Sequence, residues 1–262
     1  MRSGERLTNA VLVGLACCGL LFFVVPVVSL LAKMPWSRIG EIATSRGVWE
    51  ALWISLVVSV SAVVISFVYG FPIAWIMTRY SQQWTRVVRV LVLVPMVLPP
   101  IVGGVALLSA FGVNTPIGRV LGMVGIQLPF TTLGAVLAAT FVSSPFMILT
   151  LESGMRGLDE RLEHAAQVLG ASQWMVIRTI ILPGLGPAIV GGAALTWARA
   201  LGEFGATIAF AGNRPGYTQT LPLAIYQALQ TDMDRALLIS AELILITVGL
   251  MIFVRSRGIG HQ

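Results

Sequence analysis

Three charged side chains stand inside otherwise apolar runs: Arg199 and Glu203 in one, Glu242 in the next. Arg199 and Glu203 are four residues apart, which places them on one face of a helix. At 1.5 Å per residue Arg199 falls roughly 18 Å along its run, with Glu242 about level with Glu203 on a helix of opposite direction. A charge at the bilayer centre costs at least ~2.5–3.5 kcal/mol, so each of the three needs a partner or a wet cavity. Three chemistries fit that layer. It can be a structural ion pair of Arg199 with Glu203, joined by Glu242. It can be a gate whose pairs exchange between two states, or a contact between Arg199 and a passing anion. A second group of reactive types is Glu163-His-Ala-Ala-Gln-Val-Leu-Gly170, followed after nine residues by Ile180-Ile-Leu-Pro183. This is a charged, amphipathic stretch between two apolar runs.

Catalysis on this chain is not expected. A phosphate-binding loop needs Gly-x-x-x-x-Gly-Lys-Ser/Thr, and the single lysine, Lys33, follows Ser29-Leu-Leu-Ala with no glycine. The two histidines, His164 and His261, are far apart, and the two cysteines, Cys17 and Cys18, are neighbours in an apolar run. No metal-ligand spacing results, and neighbouring cysteines inside a helix do not readily form a disulfide.

The elements that must position these residues follow from composition. The chain of 262 residues is 56% hydrophobic and 11% charged, where a soluble domain carries about 25% charged residues. Its mean hydropathy is +0.88 and its sequence pI about 10.1. The basic residues sit mainly between apolar runs, so they read as topology signals and not as a nucleic-acid surface. A span needs about 20 apolar residues, and six runs qualify: 10–31, 51–78, 90–111, 131–151, 187–210 and 236–254. They are apolar on every face, which means helices and not the alternating strands of a barrel. The run after Arg2 and Arg6 is too long for a secretory-signal core, so an uncleaved first span is expected. Arginines near the span ends favour both termini in the cytoplasm. Residues 1–262 then form a single transmembrane domain with no soluble domain.

The cytoplasmic insert at about 155–182 is the longest polar feature. At helical spacing Leu158, Leu162, Ala165, Ala166 and Leu169 lie on one side, with Asp159, Glu160, Glu163 and Gln167 on others. Gly170 permits a sharp turn, and Ser172 suits the cap of a following helix that contains Trp174, Ile177 and Ile181. Two readings stand: a helix lying flat on the membrane, or a docking helix for a cytoplasmic partner. In the third run Pro95, Pro99 and Pro100, with Gly103 and Gly104, interrupt the backbone ladder. They either kink a helix around its neighbours or line a pathway. Gly202 and Gly205 suit close helix approach.

The spacing Ala165-Ala166-x-x-x-Gly170, nine residues, then Ile180-x-Leu182-Pro183 resembles the coupling-helix motif of permease subunits in ATP-binding-cassette (ABC) importers. The family's acidic residue before the two alanines is His164 here, with Glu163 one place earlier. The stretch from Ala198 through Gly202-Glu-Phe-Gly205 to Asn213, continuing as Gln219-Thr-Leu-Pro-Leu-Ala-Ile-Tyr226, is similar to oxyanion-importer permeases. It is closest to the molybdate type; sulfate and tungstate permeases share the Gly-Glu-Phe/Tyr-Gly core. Val97-Leu-Pro-Pro-Ile-Val-Gly103 fits as well.

The resemblance implies an all-α integral membrane protein with six transmembrane helices, a type I ABC importer permease fold and a cytoplasmic coupling helix. It implies a second permease copy, two ATP-binding subunits that carry the ATP and magnesium, and an oxyanion-binding protein outside a bacterial cytoplasmic membrane. This chain then carries no cofactor and no catalytic residue, and acts by alternating access. Coupling to the ATPase falls to Glu163, His164, Ala165, Ala166, Gly170, Ile180, Leu182 and Pro183. Pathway or gate residues are Pro99, Pro100, Arg199, Gly202, Glu203, Gly205 and Glu242. A proton-coupled secondary transporter using Glu203 or Glu242 is the rival reading.

Overall fold

The computed structural model describes residues 2–80 and 82–258, and among them every regular element is helical. In chain order the helices are α1 (Arg2–Ala32), α2 (Ile39–Ala43), α3 (Arg46–Arg79), α4 (Gln82–Val97), α5 (Pro100–Phe111), α6 (Pro116–Met123) and α7 (Thr132–Arg156). There follow α8 (Glu160–Val168), α9 (Gln173–Gly184), α10 (Gly186–Leu201), α11 (Gly205–Ala211), α12 (Leu221–Thr231) and α13 (Met233–Gly258).

The centre of the bundle is α3 packed along α7, with α10 laid against both. Small residues make this possible. Ala51, Ser55, Ser59, Ala62, Ser66, Gly70 and Ala74 recur every third or fourth position of α3, and all are buried. A Cβ on Gly70 would stand 3.1 Å from Ile148 Cγ1 on α7. One on Gly154 of α7 would stand 2.5 Å from the Ala188 Cβ of α10. Between apolar helices in lipid the attraction is close van der Waals contact, and small side chains allow it. By contrast, the apolar window of α1 is not buried at all within this chain, and Phe22, Phe23 and both cysteines are exposed on it.

Helices cover all six expected runs, but not as six straight spans. Among the described residues three helices are long and apolar enough to cross a membrane: Thr8–Ala32 within α1, α3 and α7. The run at 90–111 is broken, with α4 and α5 meeting at 115°. Pro95 sits inside α4 without ending it; the break falls at Leu98–Pro99, where consecutive prolines withdraw two N–H donors and push the preceding residue out of helical geometry. The run at 187–210 is broken too, at Gly202–Phe204 between α10 and α11. No proline causes that break. Further toward the N-terminus, α9 and α10 meet at 68° around Leu185, between Pro183 and Pro187.

The two broken runs fit together at their breaks. A Cβ on Gly205 would stand 2.9 Å from Pro100 Cβ and 3.0 Å from Ile101 N. One on Gly104 would stand 2.7 Å from Ala206 O and 2.7 Å from Ala209 Cβ. Thus α5 and α11 touch backbone to backbone. Within this chain nothing packs closely on Gly202, where the nearest neighbour to a Cβ is the Ala198 carbonyl at 3.6 Å; it ends α10.

Candidate functional site

The insert folds as two short helices joined by a glycine turn. Asp159 caps α8, its Oδ1 accepting from Arg161 N at 2.9 Å. Gly170 has φ +84°, with Gly170 N donating to Gln167 O at 2.9 Å and Ala171 N to Ala166 O at 3.0 Å. This is the Schellman ending that a left-handed glycine permits. Ser172 Oγ then accepts from Met175 N at 3.3 Å and starts α9. The middle of α9, Ile177–Ile181, is a wide π turn. It buries Ile181 fully and Ile180 partly against Ala74, Met147 and Leu151 of the spans.

Glu163 does not face outward. It is 5% exposed, and both its oxygens accept from Arg79 Nη2 at the end of α3. The Arg79 guanidinium also lies 4.7 Å above the Trp75 ring, which stacks on Phe71. A chain of contacts therefore runs from the long span α3 into α8. The outward face of α8 is different in kind. His164, Ala165 and Leu162 are exposed, and Val168 and Leu169 are each 87% exposed. Trp174 and Met175 of α9 are exposed as well. Of the remaining insert residues, Leu182 is half-buried and Pro183 exposed. An apolar face of this kind, rimmed by polar groups, marks an interaction surface.

At the break of the fifth run, Glu203 is buried and bridges the gap. Its Oε1 accepts from Ala206 N at 2.8 Å, which caps α11. Its Oε2 meets Arg199 Nη1 at 2.6 Å, a close charge contact without hydrogen-bond alignment. Carboxylate, guanidinium and helix start thus share one point, next to Pro100 and Gly205. Glu242 does not join. It is half-buried on α13 and has no ion pair among the described residues. Arg199 reaches the acid one turn along its own chain in preference to one on another helix.

Sequence reasoning missed a second buried acid. Glu152, one residue beyond the fourth expected run, is 3% exposed. Its Oε1 accepts from Arg89 Nη2 on α4 and from Arg156 Nη2 at 2.9 Å on its own helix. The arginines at run ends read only as topology signals; an acid flanked by them at the end of an apolar run was the available clue.

At the opposite end of the bundle, Asp232 and Asp234 hold Arg38, with Arg38 Nη1 to Asp234 Oδ2 at 2.8 Å and Nη2 to Asp232 Oδ2 at 3.3 Å. The Arg235 N–H, and then Arg38, keep the Asp232 carboxyl below its ordinary value. A depressed carboxyl contributes stability above its unfolded value, about 3.9, and loses it as pH falls further. The thermal midpoint of Arg38→Ala is therefore expected to lie below that of the wild type at pH 7, and the gap to be narrower at about pH 2, once pH has fallen below the unfolded value and toward the depressed folded one. A gap equal at both pH values would exclude the clasp.

Broken and unbroken apolar helices around a small-residue core, with an amphipathic helix pinned at one end, are the build of a multi-pass membrane protein. The chain belongs to the family of binding-protein-dependent transport system inner membrane components, which its residues 70–257 match. It is 39% identical to the molybdenum transport system permease protein ModB of Mycobacterium tuberculosis over 242 residues, covering 92% of each chain. It is 36% identical to the sulfate transport system permease protein CysT of Escherichia coli over 214 residues, 82% of this chain and 77% of that one. A solved bacterial ABC transporter involved in alginate import contains a chain that superposes with a TM-score of 0.74 at 17% identity, over 96% of this chain and 94% of that one. That likeness shows the type I importer permease fold alone. The sequence identities bear out the resemblance to molybdate-type ABC permeases, and the family makes the chain a transport subunit and not an enzyme.

Proposed function

We propose that this chain is the membrane-spanning subunit of an ATP-driven importer that carries molybdate across the bacterial cytoplasmic membrane by alternating access. The observation that carries the reading is α8: Glu163 fastens it to Arg79, while Leu162, Ala165, Val168 and Leu169 are offered outward. A helix held on one side and apolar on the other suits a partner that must push on it. That partner is an ATP-binding subunit, one for each of two permease copies, and ATP and magnesium sit on it. The α8 end and both termini then face the cytoplasm, in keeping with the arginines there. A binding protein delivers the oxyanion to the opposite end, near the Arg38 clasp.

The substrate follows from the ModB relatives, named for molybdenum transport. Sulfate is the second reading, favoured by the CysT likeness, and tungstate shares molybdate's shape and charge. Selection among the three rests with the binding protein, since no basic side chain apart from Arg199 stands in the expected pathway layer. The test is uptake of radiolabelled molybdate in a strain deleted for this gene and complemented with it. Uptake is expected to return with the gene, to fall with excess tungstate and to resist excess sulfate. Uptake that survives ATP depletion but collapses with an uncoupler would overturn ATP coupling in favour of a secondary transporter.

A further inference from the structure

Beside the turn between α3 and α4 lies a cleft of about 560 Å³, lined by Tyr80, Arg86, Arg89 and Arg156, with Met77 at its back. Its charge is built in advance. Buried Glu152 receives both Arg89 and Arg156 on one oxygen, and Arg156 Nη2 also donates to Met77 O at 3.1 Å. The two guanidiniums are thereby held in place, while the Arg89 and Arg156 side chains remain 48% and 53% exposed. Arg86 is exposed as well and has no ion pair among the described residues. Three arginines against one carboxylate leave a formal charge of 3 − 1 = +2 around the cleft.

The same helix indicates what surrounds it. Along α4, Trp84, Val87, Val90 and Leu91 are all exposed, between 53% and 69%. A tryptophan beside exposed aliphatic side chains and arginines is the pattern of a helix at the membrane–water boundary. The cleft therefore opens at the level where phosphates of lipid headgroups lie. Guanidinium groups bind phosphate oxygens in pairs and are weakly hydrated, and basic pockets between spans on the cytoplasmic side suit such headgroups.

We infer that the Arg86–Arg89–Arg156 cleft binds the phosphate of an anionic phospholipid from the cytoplasmic leaflet. The assignment rests on the orientation proposed above. Occupancy ties the adjoining ends of α3, α4 and α7, and the α3 end carries the Arg79 that anchors α8. A free tetrahedral oxyanion offers the same chemistry, so the experiment must separate the two sources.

The full-length chain is purified, with its ATP-binding subunits where they co-purify, into nanodiscs of phosphatidylcholine mixed with phosphatidylglycerol. Retained lipid is then counted by native mass spectrometry. Wild type is expected to retain phosphatidylglycerol in preference to phosphatidylcholine. Arg86→Ala removes a side chain with no ion pair to lose among the described residues, and should weaken that retention about fivefold, which is ~1 kcal/mol for one basic residue at an anionic surface. Arg178→Ala, an exposed arginine of α9, should leave it unchanged. Equal retention of both lipids, or equal loss in the two variants, overturns the site. So does displacement of the lipid by millimolar molybdate or phosphate, which identifies a free-oxyanion site. Loss of the ATP-binding subunits from Arg86→Ala in place of lipid also overturns it, as the mark of a protein-docking surface. Failure of molybdate uptake in the complementation assay defeats the functional reading and leaves this measurement standing.

Discussion

Replacing Arg79 by alanine is expected to abolish most uptake while ATP hydrolysis by the assembled complex continues. Glu163 has a side chain only 6% exposed, and Arg79 is its one ion-pair partner among the described residues. Removing one member of a buried pair typically costs about 3–5 kcal/mol, and the lower end applies here because Arg79 is 33% exposed. That cost falls on a helix of nine residues, far too short to hold its place alone. On its inward side the helix otherwise has the half-buried Ala166, with the half-buried Leu158 just before its start. The variant therefore frees α8 from α3 without disturbing the spans. A partner pushing on a loose helix does no work on the pathway. Uptake should fall at least tenfold (a loss of roughly 1.4 kcal/mol in coupling suffices), and Glu163→Ala should match Arg79→Ala. Glu163→Gln keeps hydrogen-bond acceptance from Arg79 and should be milder, while His164→Ala, at an exposed position, should leave the anchor intact. Wild-type uptake in both alanine variants would remove Arg79–Glu163 from the coupling path.

The insert was legible because its signals are local. A capping aspartate, a helical stripe, a glycine and a second cap lie within 14 residues, Asp159 to Ser172, and each acts on backbone a few positions away. The proline break at Leu98–Pro99 was legible for the same reason. The direction in which Glu163 points was not, since its partner lies 84 positions earlier in the chain. Nor was the Glu152 cluster, whose Arg89 is 63 positions away. The break at Gly202–Phe204 stayed hidden in an apolar run without proline. There, a side chain that looked like half of an intrahelical pair, Glu203, folds back to cap the next helix. That places Arg199–Glu203 at a joint between two helices and not midway along one.

At this joint the two single substitutions should be more harmful than the double one. Arg199→Met leaves a carboxylate with a side chain 1% exposed facing no cation, and Glu203→Met leaves a guanidinium 30% exposed among apolar helices. Each isolated charge should cost up to about 3–5 kcal/mol, with the lower end for the partly exposed guanidinium. Glu203→Met loses in addition the cap on Ala206 N, typically about 1 kcal/mol. Arg199→Met/Glu203→Met has no stranded charge, and an apolar pair of similar volume is often neutral or better than a buried ion pair. What remains is the missing cap. Thermal unfolding of the purified chain should therefore rank the double variant above both singles. Uptake then separates structure from gating. A pair that only fastens α10 to α11 lets the double variant transport once it folds. A pair that must open and re-form between pathway states leaves it folded and inactive. Destabilisation that simply adds across the two sites, with no recovery in the double, would mean that Arg199 and Glu203 do not act as a pair.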